Sequence, residues 1–211
     1  MATYIYEARR HGRISPYLIS LWSGYHAAAL TLSAFVLLNL WSDNPTGTFG
    51  GLIFACMIGG ALGGRFGQML ARRPPYMMRL ILLLILAAIL SGITAIYGEG
   101  LAGFMLQGDE SSSLATLPVT GLLFVPPLLL LAALPSYATA VLRRRRGSAG
   151  SANGAISLFT WTGYGLGIIV TSRCFAHGLE PWTMLKSLGI IALILALAVL
   201  PRHLPRRARG R

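Results

Sequence analysis

Charged residues are scarce in this sequence, at 11% of its 211 residues, less than half of the roughly 25% usual in a soluble domain. Acidic residues are rarer still: there are six Asp and Glu against 18 Lys and Arg, and Lys186 is the only lysine. So little charge excludes a water-soluble fold, because 55% hydrophobic residues would leave far too much apolar surface uncovered. Cysteine is equally sparse. Cys56 and Cys174 match no CxxC or metal-ligand spacing, which leaves them as small apolar packing residues. No Asp, Glu, Lys or Arg stands in the middle of an apolar run. This disfavours ion-coupled transport by the chain alone, since coupling needs an intramembrane group that changes charge or binds the ion.

What is present is long apolar stretches. Six stand out, at residues 17–41, 49–70, 76–97, 117–142, 152–175 and 183–200, each close to the roughly 20 residues needed to cross a hydrocarbon core. They predict an all-α polytopic membrane protein, a single six-helix transmembrane domain over residues 1–211, with no segment long and polar enough to fold in water. The apolar run after the basic first fifteen residues exceeds the roughly 7–15 residues of a signal peptide, and no small-residue cleavage site follows it. The first span is therefore expected to be uncleaved.

The charge that exists is distributed with one sign per side. Arg9, Arg10 and Arg13 precede span one. Arg65, Arg72, Arg73 and Arg79 surround the second connection, Arg143, Arg144, Arg145 and Arg146 fill the fourth, and Arg202, Arg206, Arg207, Arg209 and Arg211 form the tail. The other side receives only Arg173 and Lys186, yet holds Asp43, Glu99, Asp109, Glu110 and Glu180. The positive-inside rule then places both termini in the cytoplasm, in a bacterial inner membrane. This distribution accounts for the pI of about 10.9 without nucleic acid as a partner. Membrane lipid is expected against the basic face. The preference for arginine hints at a GC-rich bacterial genome.

The stretch "GGALGGRFGQMLARRPP", residues 59–75, invites reading as a phosphate loop. It has neither GxxxxGK[ST] nor GxGxxG spacing and no strand before it. Gly59, Gly60, Gly63, Gly64 and Gly67 instead fall at small-xxx-small steps that let another helix approach closely. Gly163, Gly165 and Gly167 in "WTGYGLGIIV" read the same way. Pro126, Pro127 and Pro135 remove backbone donors from span four, so that helix should kink or break, and neighbours must satisfy the freed carbonyls. Discontinuous helices of this kind can also form transport sites.

His26 is the only histidine well inside a span; His11, His177 and His203 fall in loops or tails. It is a candidate for haem or pigment ligation, for a proton relay, or for interhelical hydrogen bonding. No cofactor is otherwise predicted, and bis-histidine haem lacks its second intramembrane ligand. Asn39 and Asn153 read as structural, Asn153 as a cap or pin at the start of span five. Trp41 and Trp182 fit an aromatic interface belt, whereas Trp161 would face a helix, lipid or a pigment. Gly98–Thr116 is the longest connection, its first part suited to dip into the interface and its acidic end to stay in water, and it serves equally as a candidate partner-docking surface.

The segment "GALGGRFGQMLARR" resembles the loop signature between the second and third helices of the major facilitator superfamily. Gly60, Leu62, Arg65 and Gly67 carry the resemblance, while Gly64 stands where that signature has its acidic residue and Gln68–Met69 where it has a basic pair. "LLFVPPLLLLAALPSYATAVLRRRRGSAGSANGAISLFTWTGYGLGIIV" is similar to the membrane portion of bacterial spermidine-synthase-like fusion proteins, through Pro126, Pro127, Leu134, Pro135, Asn153, Gly154, Gly163 and Gly167. Together the resemblances cover most of residues 20–200. They imply a bundle like half of a major facilitator transporter, built of two three-helix units. The resemblance covers the membrane portion alone, with no synthase domain expected, so aminopropyl transfer is not carried over.

Three functions compete at this point. The first is a non-catalytic subunit or assembly factor of a larger inner-membrane complex. The second is a half-size transporter that dimerises around a neutral or small solute. The third is a haem- or pigment-binding subunit built on His26. None of the three makes the chain itself an enzyme.

Overall fold

The computed structural model describes residues 2–40, 42, 44–72, 76–106, 116–146 and 149–200, with side chains described from residue 15 onward except at 106, 145, 146 and 149. Six helices follow one another: α1 (Ala2–Asn39), α2 (Pro45–Ala71), α3 (Met77–Leu106), α4 (Thr116–Arg146), α5 (Ala149–Ala176) and α6 (Pro181–Val199). All six are long and apolar enough to cross a membrane.

Local chemistry explains the turns that bound them. Asn44 Oδ1 accepts from the Gly47 amide at 2.9 Å, and Pro45 opens α2 where no helix donor is needed. After α5, Gly178 adopts φ +82°, and the Leu179 amide donates to the Cys174 carbonyl at 3.0 Å. This closes the helix in a Schellman motif before Pro181 starts α6. Hydroxyls inside the helices bond their own preceding turn, as Ser20 does to Pro16 O, Thr31 to Ala27 O and Thr160 to Ile156 O.

Helices α3 and α4 depart from the sequence reading. Helix α3 does not stop near Tyr97 but continues to Leu106, so the first nine residues of the expected Gly98–Thr116 connection are helix. No proline interrupts them, and Gly98 lets the Trp182 ring of α6 lie close, within 3.1 Å of where a Cβ would stand. Helix α4 runs unbroken through Pro126, Pro127 and Pro135. Trp41, the 107–115 segment and the arginines of the tail lie outside the described residues.

The helices pair in a repeated pattern. The most extensive packing is α2 on α4 and α1 on α5, followed by α3 on α6, α3 on α4, α1 on α4 and α1 on α6. Exchanging α1 with α4, α2 with α5 and α3 with α6 swaps the α2–α4 pair with α1–α5 and the α3–α4 pair with α1–α6, and returns α1–α4 and α3–α6 to themselves. Helices three apart in an up-and-down chain run in opposite senses, so the pairing has the form of an inverted repeat. At the centre, α1 and α4 contribute Leu30, Leu37, Phe124, Leu131 and Leu134, all essentially inaccessible.

Candidate functional site

The α2–α4 and α1–α5 contacts are built by the same device. On α2, a Cβ at Gly63 would collide with the Leu129 carbonyl oxygen, and one at Gly67 would lie 2.5 Å from that of Ala133. On α5, a Cβ at Gly163 would collide with the Leu21 carbonyl oxygen, and one at Gly167 would lie 2.5 Å from that of Tyr25. Each pair sets two glycines four residues apart over two carbonyls four residues apart on a parallel neighbour, so backbone meets backbone without side chains between. Gly59 belongs to the first contact, 2.8 Å from the Leu128 Cβ in the same sense.

Gly60 and Gly64 do not belong to it. Open space surrounds the Cβ position of Gly60, and only Ser136 Oγ, at 3.8 Å, is near that of Gly64. Each stands one residue beyond a contacting glycine, about 100° further round the helix, and so faces outward. Gly165 is likewise open. The sequence reading missed Gly24, whose Cβ would collide with the Thr160 carbonyl oxygen from the α1 side. Ser20, Gly24 and Ala28 repeat at four-residue steps, a small-xxx-small signal that was there to be read.

Span four shows how a proline-bearing helix is kept intact. Pro127 has no N–H for the Leu123 carbonyl, one helical turn before it. Thr94 of α3 supplies the missing donor, its Oγ1 lying 3.0 Å from Leu123 O. The same hydroxyl is 3.1 Å from Leu90 O on its own helix, so its single proton is shared between the two carbonyls. Thr139, one turn after Pro135, donates to the Pro135 carbonyl at 2.9 Å.

His26 is wholly buried, and neither Nδ1 nor Nε2 has a hydrogen-bond partner among the described residues. The Trp22 ring meets it edge-on at 5.8 Å, and Trp22 Nε1 is also unpartnered. No group of three His, Cys, Asp or Glu side chains able to hold a metal occurs among the described residues. An orphaned buried polar group costs about 1–3 kcal/mol, so an apolar side chain of similar size should be tolerated here. His26→Leu is expected to melt at or above the wild-type temperature in detergent. A fall of several degrees would mean that a bound water or ligand satisfies the imidazole.

The remaining candidates separate to the two ends of the bundle. Arg65, Arg72, Arg143 and Arg144 are exposed at one end; Arg73 lies outside the described residues, as do the side chains of Arg145 and Arg146. At the opposite end a groove of about 500 Å³ lies along α5, with Arg173 and His177 set among Ile169, Val170 and Leu179. Cys174 lines this groove, while Cys56 sits mid-span with its Sγ 3.5 Å from Thr31 Oγ1. Asn153 is exposed near the start of α5, and Trp161 is 72% exposed on the same helix.

No family model, curated protein or solved structure matches this chain.

Proposed function

We infer that the chain is a non-catalytic, multi-pass subunit or assembly factor of a larger complex in the bacterial inner membrane, joined to it through the outer faces of α2 and α5. The reading rests on a contrast between exposed surfaces. In mid-span, α3 and α6 expose aliphatic residues, namely Leu82, Leu86, Ile89 and Ile93 on one and Ile190, Ile191, Ile194 and Leu197 on the other. These are suited to lipid tails. Helices α2 and α5 expose large apolar residues too, such as Ile53, Phe54 and Leu62 on one and Leu166, Ile168 and Ile169 on the other, but interleave them with the small or polar Gly60, Ala61 and Gln68, and Gly154, Ser157, Thr162 and Gly165. Small and polar residues characterise helix–helix contacts in membranes, where apolar bulk gives no advantage over lipid. These are also the two least buried spans, at 33% and 22%, against 56% for α1 and α4.

Gly60→Leu tests this reading, because open space around Gly60 lets the bundle accept the side chain. Purified gently from its own membrane, the wild type is expected to bring a foreign membrane protein in fixed ratio. The variant should fold and melt like wild type but lose that protein. Retention of the same partner at the same ratio would count against the α2 face.

The inverted pairing favours a second reading, in which two copies join through these faces as a half-size transporter for a neutral solute. Recovery of a homodimer alone, with solute uptake lost on deletion of the gene, would select it.

A further inference from the structure

At the arginine-rich end, Tyr76 joins two helices that are distant in sequence. Its amide donates to Tyr137 Oη at 3.0 Å, and the Tyr137 hydroxyl donates back to the Tyr76 carbonyl at 3.3 Å. Tyr137 is wholly buried in α4, so this double bond fixes the Tyr76 backbone just before α3 begins. The Tyr76 ring is left half-exposed at the bundle surface. The guanidinium of Arg79, from the first turn of α3, lies 5.7 Å from the ring centroid, and that of Arg144, near the end of α4, lies 5.5 Å from it. Both distances fall within cation–π range.

Two cations thus share one ring, and a bound anion would relieve their mutual repulsion. No described carboxylate is near. Glu99 lies twenty residues further along α3, roughly 30 Å away at 1.5 Å per residue, and Glu180 belongs to that same far end, next to Trp182, which packs on Gly98. The first turn of α3 adds the positive end of its helix dipole. An oxyanion able to accept from two planar guanidiniums at once is a phosphate group, since its oxygens match their paired donors.

We propose that Tyr76, Arg79 and Arg144 form a seat for the phosphate of an anionic lipid headgroup. The ring aligns the guanidiniums, and the headgroup phosphate bridges them where α3 and α4 reach the membrane surface. A lipid is the source because Tyr76 and Arg144 stand at the ends of two helices long and apolar enough to span a membrane, where headgroups would lie. This differs from the diffuse attraction of a basic surface, which any exposed arginine supplies equally. The seat is independent of what covers α2 and α5.

The test is native mass spectrometry of the delipidated protein titrated with phosphatidylglycerol, with phosphatidylcholine and with inorganic phosphate. Wild type should hold one phosphatidylglycerol in clear preference to phosphatidylcholine. The Arg79→Gln/Arg144→Gln variant should bind it about tenfold more weakly, whereas Arg65→Gln/Arg143→Gln, with the same change of charge, should match wild type. Equal losses in the two double variants would reduce the seat to general charge attraction and overturn the proposal. So would inorganic phosphate displacing the lipid at similar concentration, or the absence of any preference for phosphatidylglycerol. If the Arg79→Gln/Arg144→Gln variant does not fold, Tyr76→Leu and Tyr76→Phe decide. Leucine should weaken binding by removing the aligning ring, and phenylalanine should retain it; equal binding by both would refute the role of the ring.

Discussion

Gly63→Leu should abolish the folded protein, while Gly60→Leu, three positions earlier on the same helix, should leave it intact. The difference lies in what each new side chain meets. At Gly63 it meets the Leu129 carbonyl and the Ala132 Cβ; at Gly60 it meets open space. Overpacking costs about 1–3 kcal/mol even where flexible neighbours can give way. Backbone cannot rotate aside, so α2 must move off α4 and lose its largest contact. Gly163→Leu should behave like Gly63→Leu, because the Leu21 carbonyl occupies the equivalent place on α1. Monodisperse yield on size-exclusion chromatography reads both effects, with a fall of roughly tenfold or more expected for Gly63→Leu and Gly163→Leu. Normal yield for either would show that the backbone contact does not hold the bundle together.

Thr94→Val should destabilise the bundle by roughly 1–2 kcal/mol, a large effect for one hydroxyl. Valine keeps the shape of threonine but cannot donate to Leu123 O, which Pro127 has already deprived of its helix partner. A second substitution makes the argument specific. Pro127→Ala restores an N–H one turn after Leu123, so the loss caused by Thr94→Val should shrink when alanine stands at 127. A double-mutant cycle on reversible unfolding in detergent measures this coupling. Additive effects of the two substitutions would mean that the Thr94 hydroxyl serves only Leu90, on its own helix.

Six helices were legible because spans of this length and hydropathy have no other use, and their order followed directly. Where α3 ends was not. Gly98 and Gly100 look like loop residues in the sequence, yet Gly98 is where the Trp182 ring packs, and that ring comes from a helix more than eighty residues away. The glycine steps on α2 marked a packing helix correctly but not its packing face. Two stripes, Gly59–Gly63–Gly67 and Gly60–Gly64, run side by side, and only the position of α4 selects between them. The need for a donor to span four was readable from its prolines, but not that Thr94 supplies one. Tyr76 carried no signal at all, since its role depends on Tyr137, 61 residues on, and on where Arg144 lies. The inverted pairing was hidden for the same reason: Gly63 and Gly67 share a spacing with Gly163 and Gly167, while the residues around them differ.

We propose that this bundle is incomplete alone, and that other membrane helices cover α2 and α5. Native mass spectrometry on the protein released gently from its own membrane tests it most directly. The account predicts a complex of fixed stoichiometry with a different membrane protein, lost in Gly60→Leu while the variant's own fold survives. A monomer released intact, with α2 and α5 carrying only lipid, would contradict it.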